Sequence, residues 1–256
     1  MRRPVVAANW KMHKSSGEAE QFLRDFAPLW TDRRVEVVIC PSFVSLEHIS
    51  KMAHALGLAV GAQDVHWDVQ GAFTGEVSAG MLAEAGCSYV IVGHSERRKL
   101  FGELDEDVGN KAHSALAAGL SPVICAGETM EERKAGLTGA VVERQVKQAV
   151  RLLSREQASR LVIAYEPVWA IGTGVTATPA DATLVAGEIR SLLDRFLGPG
   201  AGEEARVQYG GSVKAGNIAS FMESVQIDGA LVGGASLAPA HFAELVNNSL
   251  SFREPA

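Results

Sequence analysis

The sequence predicts an α/β protein with the architecture of a (β/α)8 barrel, formed by a single domain that spans residues 1–256. Short apolar segments alternate with segments of helical periodicity, which is the pattern of parallel strands covered by helices. There are eight apolar segments, and eight such units favour a closed barrel over an open sheet. A length of 256 residues is typical of one barrel, and no linker-like segment divides the chain.

The candidate strands are short runs of small and β-branched apolar residues. In chain order they cover residues 5–9, 35–40, 59–63, 89–93, 122–125, 161–165, 207–210 and 229–232. The clearest helix start follows the sixth strand, where Thr178 is the expected N-cap, Pro179 the first helical residue and Asp181 a first-turn acid. The glycine-rich segment 198–204 is expected to be a loop between the sixth helix and the seventh strand.

Composition excludes several classes of function. A net charge of −6 leaves no broad basic face for nucleic acid or for a membrane surface. Cys40, Cys87 and Cys125 are odd in number and far apart, which predicts free thiols and a cytoplasmic location. No apolar run is long enough to span a membrane or to form a signal-peptide core. No metal-ligand spacing or nucleotide-binding motif is present, so we expect neither a metal nor a cofactor.

The strongest chemical signal is a carboxylate at the end of the sixth strand. Glu166 follows that strand and precedes Pro167, after which an apolar run ends in Gly-Thr-Gly. This pattern predicts a hinged lid, whose residues are Pro167, Val168, Trp169, Ala170, Ile171, Gly172, Thr173 and Gly174. An apolar cover removes water from Glu166 and thereby favours its uptake of a proton, so we interpret Glu166 as a general base.

Other chemically useful residues also follow strand ends, as expected for a barrel active site. His94 precedes a short helix, whose dipole disfavours the cationic ring, so His94 is expected to act as a neutral donor. Lys11, with Asn9 beside it, can neutralise a phosphate or a developing enolate oxygen. Glu96 can pair with Lys11 or with an arginine, and the sequence leaves open whether it takes part in the chemistry. Backbone groups at four positions could cradle a phosphate: Gly172, Ser212, Gly233 and Gly234.

The remaining histidines carry weaker signals. Four of them are interpreted as packing residues without a chemical role: His48, His54, His113 and His241. His13 and His66 lie in expected loops and have no clear partner, so their roles stay open.

Five motifs in chain order resemble the triosephosphate isomerase family. They are NWKM (9–12), GHSERR (93–98), YEPVWAIGTG (165–174), YGGSV (209–213) and VGGASL (232–237). The resemblance implies a TIM barrel that interconverts dihydroxyacetone phosphate and glyceraldehyde 3-phosphate in glycolysis and gluconeogenesis. It implies Glu166 as the base, His94 as the electrophile, and Asn9 and Lys11 as substrate ligands. It also implies a phosphate site at Gly172, Ser212, Gly233 and Gly234, with Glu96 in a supporting role.

The same resemblance implies a cofactor-free cytoplasmic homodimer. Residues 63–76 correspond to a loop that reaches the neighbouring subunit, and Thr74 lies near its tip, facing the neighbour's Asn9 and Lys11. The apolar side chains of this loop, Trp67, Val69 and Phe73, would be covered by the partner.

Two alternatives remain open from the sequence. One is an aldolase-type barrel enzyme in which Lys11 forms a Schiff base with a sugar phosphate. The other is a barrel without catalytic activity that serves as a binding scaffold. The scaffold alternative is disfavoured because every residue type needed for the isomerase chemistry is present.

Overall fold

The computed structural model describes residues 2–171 and 176–252, and its strands form one closed barrel of eight parallel strands. The strands are β1 (Val5–Asn9), β2 (Glu36–Cys40), β3 (Ala59–Ala62), β4 (Tyr89–Val92), β5 (Ser121–Ala126), β6 (Val162–Tyr165), β7 (Arg206–Tyr209) and β8 (Gly229–Val232). Each strand pairs with the next in the sequence, and β8 pairs with β1 to close the barrel. The predicted barrel fold is therefore confirmed, whereas the extent of the domain over all of residues 1–256 stays a prediction.

Helices surround the barrel and connect successive strands. They are α1 (Ser16–Phe26), α2 (Leu46–Ala55), α3 (Ala79–Glu84), α4 (Ser95–Phe101), α5 (Asp105–Ala117), α6 (Met130–Lys134), α7 (Thr138–Val150), α8 (Pro179–Leu197), α9 (Ala201–Glu204), α10 (Ile218–Met222) and α11 (Pro239–Asn248). The start of α8 is as predicted, because the Thr178 hydroxyl accepts the N–H of Asp181 in a capping box. Within residues 2–171 and 176–252, no helix is long and apolar enough to cross a membrane.

The structure corrects several predicted boundaries. Segment 198–204 is only partly a loop, because its second half forms the short helix α9. Gly200, with a φ of 82°, precedes this helix. Arg155 holds the segment in place through an ion pair with Glu204. Three residues predicted to end strands lie one residue beyond them: Gln63 after β3, Gly93 after β4 and Gly210 after β7. At Gly93 the cause is a positive φ of 74°, which turns the chain out of the strand direction.

The apolar residues form two buried clusters. The larger cluster lies between the strands and the helices, and the smaller one fills the interior of the barrel. Small residues keep the interior closely packed: a Cβ atom at Gly61 would lie 2.8 Å from the Cys40 Sγ. The interior of the barrel is thus a filled core, so a ligand site is expected at one of its ends.

An ion-paired plug closes the end of the barrel at which the strands begin. Arg206 donates to Glu36 at 2.7 Å and to the Tyr89 hydroxyl at 2.9 Å, and that hydroxyl donates to Glu36 at 2.8 Å. These three residues are the first residues of β7, β2 and β4. Every pair in the plug therefore bridges strands that are distant along the chain.

We expect Arg206→Met to lower the free energy of unfolding by about 3 kcal/mol, because it leaves Glu36 and Tyr89 without their cation in a partly buried site. Urea unfolding followed by circular dichroism at fixed protein concentration measures this change. The matched control is Arg195→Met, which breaks an exposed pair with Glu143 and should cost less than about 1 kcal/mol. Equal effects of the two substitutions would contradict a special role for the plug.

Candidate active site

A cavity of about 240 Å³ opens at the carboxyl ends of the strands. The loops after β1, β4, β6, β7 and β8 line it, and they bring together predicted site residues that are distant in sequence. These are Asn9, Lys11, His94, Glu166, Ile171, Ser212, Gly233 and Gly234. The volume falls below the roughly 300–1,000 Å³ of drug-sized ligand sites, so the cavity suits a smaller molecule. Gly172, the remaining residue of the predicted phosphate site, lies outside the described residues.

Glu166 is buried directly beyond β6, with 2% of its surface exposed. Its backbone N–H continues the sheet by donating to the Ala126 carbonyl at 2.8 Å. One carboxylate oxygen accepts the N–H of Ser95 at 3.1 Å, and the other lies 3.2 Å from the Nε2 of His94. Both oxygens therefore contact the start of α4, one through its N-cap His94 and the other through its first residue, Ser95.

Glycine at position 210 makes room for this carboxylate. A Cβ atom at Gly210 would lie 2.8 Å from the Glu166 Cγ, and one at Gly211 would lie 2.2 Å from the Tyr209 hydroxyl oxygen. Side chains at these two positions would displace Glu166 or Tyr209. The Gly-Gly pair after β7 thus has a packing reason in addition to any role in ligand binding.

The protonation pattern of His94 follows from its position as the N-cap of α4. Its Nδ1 accepts the backbone N–H of Glu96 at 3.2 Å. Because a backbone N–H can only donate, Nδ1 carries no proton, and the neutral ring holds its proton on Nε2. Nε2 is the atom that faces Glu166 and the cavity. In its neutral form the ring therefore directs its donor atom at Glu166 and the cavity, and the role of His94 as an electrophile stays a prediction.

Lys11 adopts a left-handed backbone conformation with a φ of 53°, which is unfavourable for a residue with a side chain. Its N–H donates to the Asn9 side chain at 3.1 Å, and its carbonyl accepts from Gln63 at 2.9 Å. Its ammonium group donates to Glu96 at 2.5 Å. The Glu96 carboxylate also lies 3.6 Å from the Nδ1 of His94, which is beyond hydrogen-bond distance, so Glu96 is paired with Lys11 and only adjacent to the imidazole.

The expected phosphate end of the cavity lies at β7 and β8. Ser212 follows β7, and its hydroxyl donates to the Ala170 carbonyl at 2.8 Å, so it contacts the lid segment in this conformation. Gly233 and Gly234 follow β8 and lie at the start of a short 3₁₀ turn. A Cβ atom at Gly233 would be 3.5 Å from the Lys11 Cε, which places the lysine stem beside this turn.

The lid prediction falls partly on described residues. Residues Val168–Ala170 form a 3₁₀ turn, and Trp169 is buried with its indole N–H donating to Glu128 at 2.8 Å. The Arg133 guanidinium lies 4.3 Å from the centre of the Trp169 ring. Ile171 lines the cavity. The predicted lid residues Gly172, Thr173 and Gly174 lie outside the described residues.

The sequence analysis does not predict three residues that support or line the site: Gln63, Glu128 and Lys214. Gln63 supports the strained Lys11, Glu128 anchors Trp169, and Lys214 adds a second cation to the cavity lining. Gln63 and Glu128 lie just beyond β3 and β5, and Lys214 lies farther along the loop after β7. The rule that polar residues after strands serve the site could have identified them if it had been applied to all eight strands.

The four histidines predicted to be packing residues lie on the surface instead. His48, His54, His113 and His241 are all exposed on helices, because each occupies the outward face of its amphipathic helix. His13 is exposed after β1, and His66 is buried with its ring against Trp67 and Phe73. Among residues 2–171 and 176–252, no cluster of three or more potential ligands could hold a metal ion.

Fold and site together define a class of protein: a (β/α)8-barrel enzyme with a carboxylate, an imidazole and an ammonium group around one small cavity. This set suits proton transfer next to a carbonyl group. A family profile described as triosephosphate isomerase matches residues 4–249. The chain belongs to the triosephosphate isomerase family and is an isomerase.

Curated relatives support this assignment over nearly their whole length. Triosephosphate isomerase of Symbiobacterium thermophilum is 52% identical over 246 residues, which cover 96% of each chain. The enzyme of the same name from Moorella thermoacetica is 51% identical over 247 residues, covering 96% of this chain and 99% of the relative. That of Caldanaerobacter subterraneus subsp. tengcongensis is 48% identical over 247 residues, covering 96% of this chain and all of the relative.

We expect Cys125 to resist alkylation by iodoacetamide in the native protein. Burial raises the pKa of this thiol well above its ordinary value, and the adjacent Glu166 carboxylate raises it further, so little reactive thiolate forms. Burial likewise raises the pKa of Cys87 to about 12. Intact-mass analysis should find native protein unlabelled and urea-unfolded protein labelled at all three cysteines. Rapid labelling of Cys125 in folded protein would contradict the close packing around Glu166.

Proposed function

We propose that this chain interconverts dihydroxyacetone phosphate and glyceraldehyde 3-phosphate, as a step of glycolysis and gluconeogenesis in the cytoplasm. The observation that carries the proposal is that Glu166, His94 and Lys11 line one cavity sized for a small ligand. The reaction moves a proton between two adjacent carbons through an enediol(ate) intermediate. It needs a base for the carbon-bound proton and donors for the two substrate oxygens.

Glu166 is the proposed base. Its carboxylate is held by the Ser95 N–H and faces the His94 Nε2. To reach a substrate carbon it must exchange these contacts and turn into the cavity, which a bound substrate can favour by offering its own oxygens to His94. The buried position keeps water away from the carboxylate and thereby favours proton transfer.

His94 and Lys11 are the proposed partners of the developing negative charge. The Nε2 proton of His94 is placed to donate to a substrate carbonyl or enediolate oxygen. The Lys11 ammonium, with the Asn9 amide beside it, stabilises the same charge and helps to hold the substrate. Glu96 has a supporting role, since it fixes the position of the Lys11 ammonium.

The substrate phosphate is proposed to bind at the side of the cavity formed by the loops after β7 and β8, beside the Lys11 side chain. Ser212, Gly233 and Gly234 lie there, and Gly172 is expected to join them. A phosphate that displaced the Ala170 carbonyl from the Ser212 hydroxyl would couple ligand binding to movement of the segment after Glu166. Closure of residues 167–174 would then exclude water and hinder loss of phosphate from the enediolate.

The geometry favours this proposal over the Schiff-base alternative. A lysine that attacks a carbonyl needs an amine that is free to reach it, whereas the Lys11 Nζ lies 2.5 Å from the Glu96 carboxylate, a contact that would have to break first. Lys11 is therefore better suited to electrostatic stabilisation. We expect that activity requires no metal or other cofactor, and that neither nucleic acid nor a membrane is a partner.

A homodimer is part of the proposal. The segment from Trp67 to Glu76 is exposed, and it presents Trp67, Val69 and Phe73 with 36%, 83% and 43% of their surfaces accessible. Met12, next to Lys11, is 93% exposed. Stacking of His66 against Trp67 and Phe73 gives the loop a defined shape without a partner. A second copy that covered this apolar surface would place its Thr74 near Lys11.

We expect Glu166→Gln to lower isomerase turnover by about 100- to 10,000-fold, because the amide cannot accept the carbon-bound proton. Glu166→Asp should cost on the order of 100-fold, since it moves the carboxylate by about 1 Å. A coupled assay with glyceraldehyde 3-phosphate, without added metal, measures both. The matched control is Glu188→Gln on the helix α8, remote from the cavity lining, which should leave turnover unchanged.

Near wild-type turnover in folded Glu166→Gln protein would reject Glu166 as the base. Absence of activity in the wild-type protein under the same conditions would reject the proposed reaction itself. Trapping of a covalent adduct on Lys11 by borohydride would instead favour the Schiff-base alternative.

We expect Thr74→Arg to weaken dimer formation by on the order of 100-fold or more, because it buries an unpaired charge at the proposed contact. Sedimentation equilibrium measures the dissociation constant, and turnover per subunit should fall as the dimer dissociates. Leu184→Arg is the control, since Leu184 is 75% exposed on α8, away from the loop. A monomeric wild-type protein, or equal effects of both substitutions, would contradict the proposed interface.

A further inference from the structure

The peptide groups of Gly93 are held from two sides by buried charged residues that the proposed chemistry does not use. Gly93 separates β4 from His94, so its orientation sets where the His94 backbone leaves the barrel. Its N–H donates to the Glu103 carboxylate at 2.8 Å, and its carbonyl accepts from the Arg98 Nε at 2.7 Å. Its positive φ of 74° is a conformation that glycine adopts at little steric cost, so the two contacts select this conformation among the many open to a glycine.

Arg98 is the more specific of the two contacts. Its guanidinium donates to the Gly93 carbonyl at the end of β4 and, at 3.4 Å, to the Cys125 carbonyl in β5. Its remaining arm pairs with Asp105, the first residue of α5. The side chain is only 18% exposed, so a loss of these bonds would not be replaced freely by water.

Glu103 is fixed by a separate buried network. Its second oxygen accepts from Lys111 at 2.7 Å and from Arg97 at 2.9 Å, and both cations also pair with Asp64. Burial alone would raise the pKa of Glu103, but Lys111 and Arg97 lower it below its ordinary value. Glu103 therefore stays ionised and presents a charged acceptor to the Gly93 N–H.

We propose that Arg98 is a positioning residue for His94: by holding the Gly93 carbonyl it fixes the angle at which the imidazole faces Glu166 and the substrate. This inference rests on the proposed role of His94. Only the Cα–Cβ and Cβ–Cγ bonds of His94 separate its ring from the Gly93–His94 peptide unit. A small rotation of that peptide therefore moves Nε2 relative to the reacting atoms. In the proposed function the substrate phosphate is bound by Ser212, Gly233 and Gly234, which lie in the loops after β7 and β8. Arg98 should thus affect the chemical step more than binding.

The test compares Arg98→Met with Arg144→Met. Both arginines pair with Asp105, but only Arg98 contacts Gly93 and Cys125, so Arg144→Met is matched for the lost ion pair. We expect Arg98→Met to lower kcat by on the order of 10- to 100-fold, as for a misplaced catalytic group, with KM changed by less than about twofold. Inhibition by inorganic phosphate should be unchanged. Arg144→Met should retain wild-type kcat.

A second measurement does not depend on turnover. The ¹⁵N NMR signals of His94 report which ring nitrogen is protonated and how its hydrogen bonds change, and we expect them to shift in Arg98→Met but not in Arg144→Met. Arg98→Lys, which can still donate to one of the acceptors, should have an intermediate kcat. If Arg98→Met does not fold, the kcat of Arg98→Lys tests the proposal in its place.

Wild-type kcat in folded Arg98→Met or Arg98→Lys protein would overturn the proposal. So would equal losses of kcat in Arg98→Met and Arg144→Met, because these would indicate a general effect of the Asp105 ion pairs. Failure of the proposed function is distinguishable: retained turnover in Glu166→Gln would reject the base, while the His94 signals would still report whether Arg98 orients the ring.

Discussion

Closure of eight parallel strands is the constraint on which the rest of this molecule depends. All strands point the same way, so their carboxyl ends meet at one rim, and residues as distant in sequence as Asn9 and Gly233 line the same cavity. The interior of the barrel is closely packed with apolar side chains, which favours ligand binding outside it. A small substrate is therefore proposed to bind among the loops at that rim, where backbone groups and side chains from several strands converge.

The two ends of the barrel carry different kinds of polar contact. Where the strands begin, Arg206, Glu36 and Tyr89 pair with one another, which stabilises the closed sheet. Where the strands end, Glu166 and His94 contact each other and are proposed to exchange partners when a ligand binds. Rigid pairing at one end and exchangeable pairing at the other agree with the separation of stability and function that is common in these barrels.

The candidate site is also supported by polar and charged side chains that do not belong to the cavity lining. The turn at Gly93 lies between Glu103 and Arg98, and the strained backbone of Lys11 is held by Gln63. Such supports matter because catalytic groups lose efficiency when they are displaced by about 1 Å. The groups that touch a substrate are thus only part of what the chemistry requires, and the remainder is distributed over neighbouring loops.

The sequence by itself determined the barrel, the start of α8 and the set of chemical groups at the rim. Apolar periodicity, capping at Thr178 and the position of Glu166 after a strand are local signals, which can be read without long-range contacts. Only the tertiary structure decided that Glu166 contacts Ser95 and that Arg98 holds Gly93, and it placed four histidines outside the core. These outcomes depend on which faces and strand ends pack together, because a pairing between distant residues leaves no periodic trace in the chain.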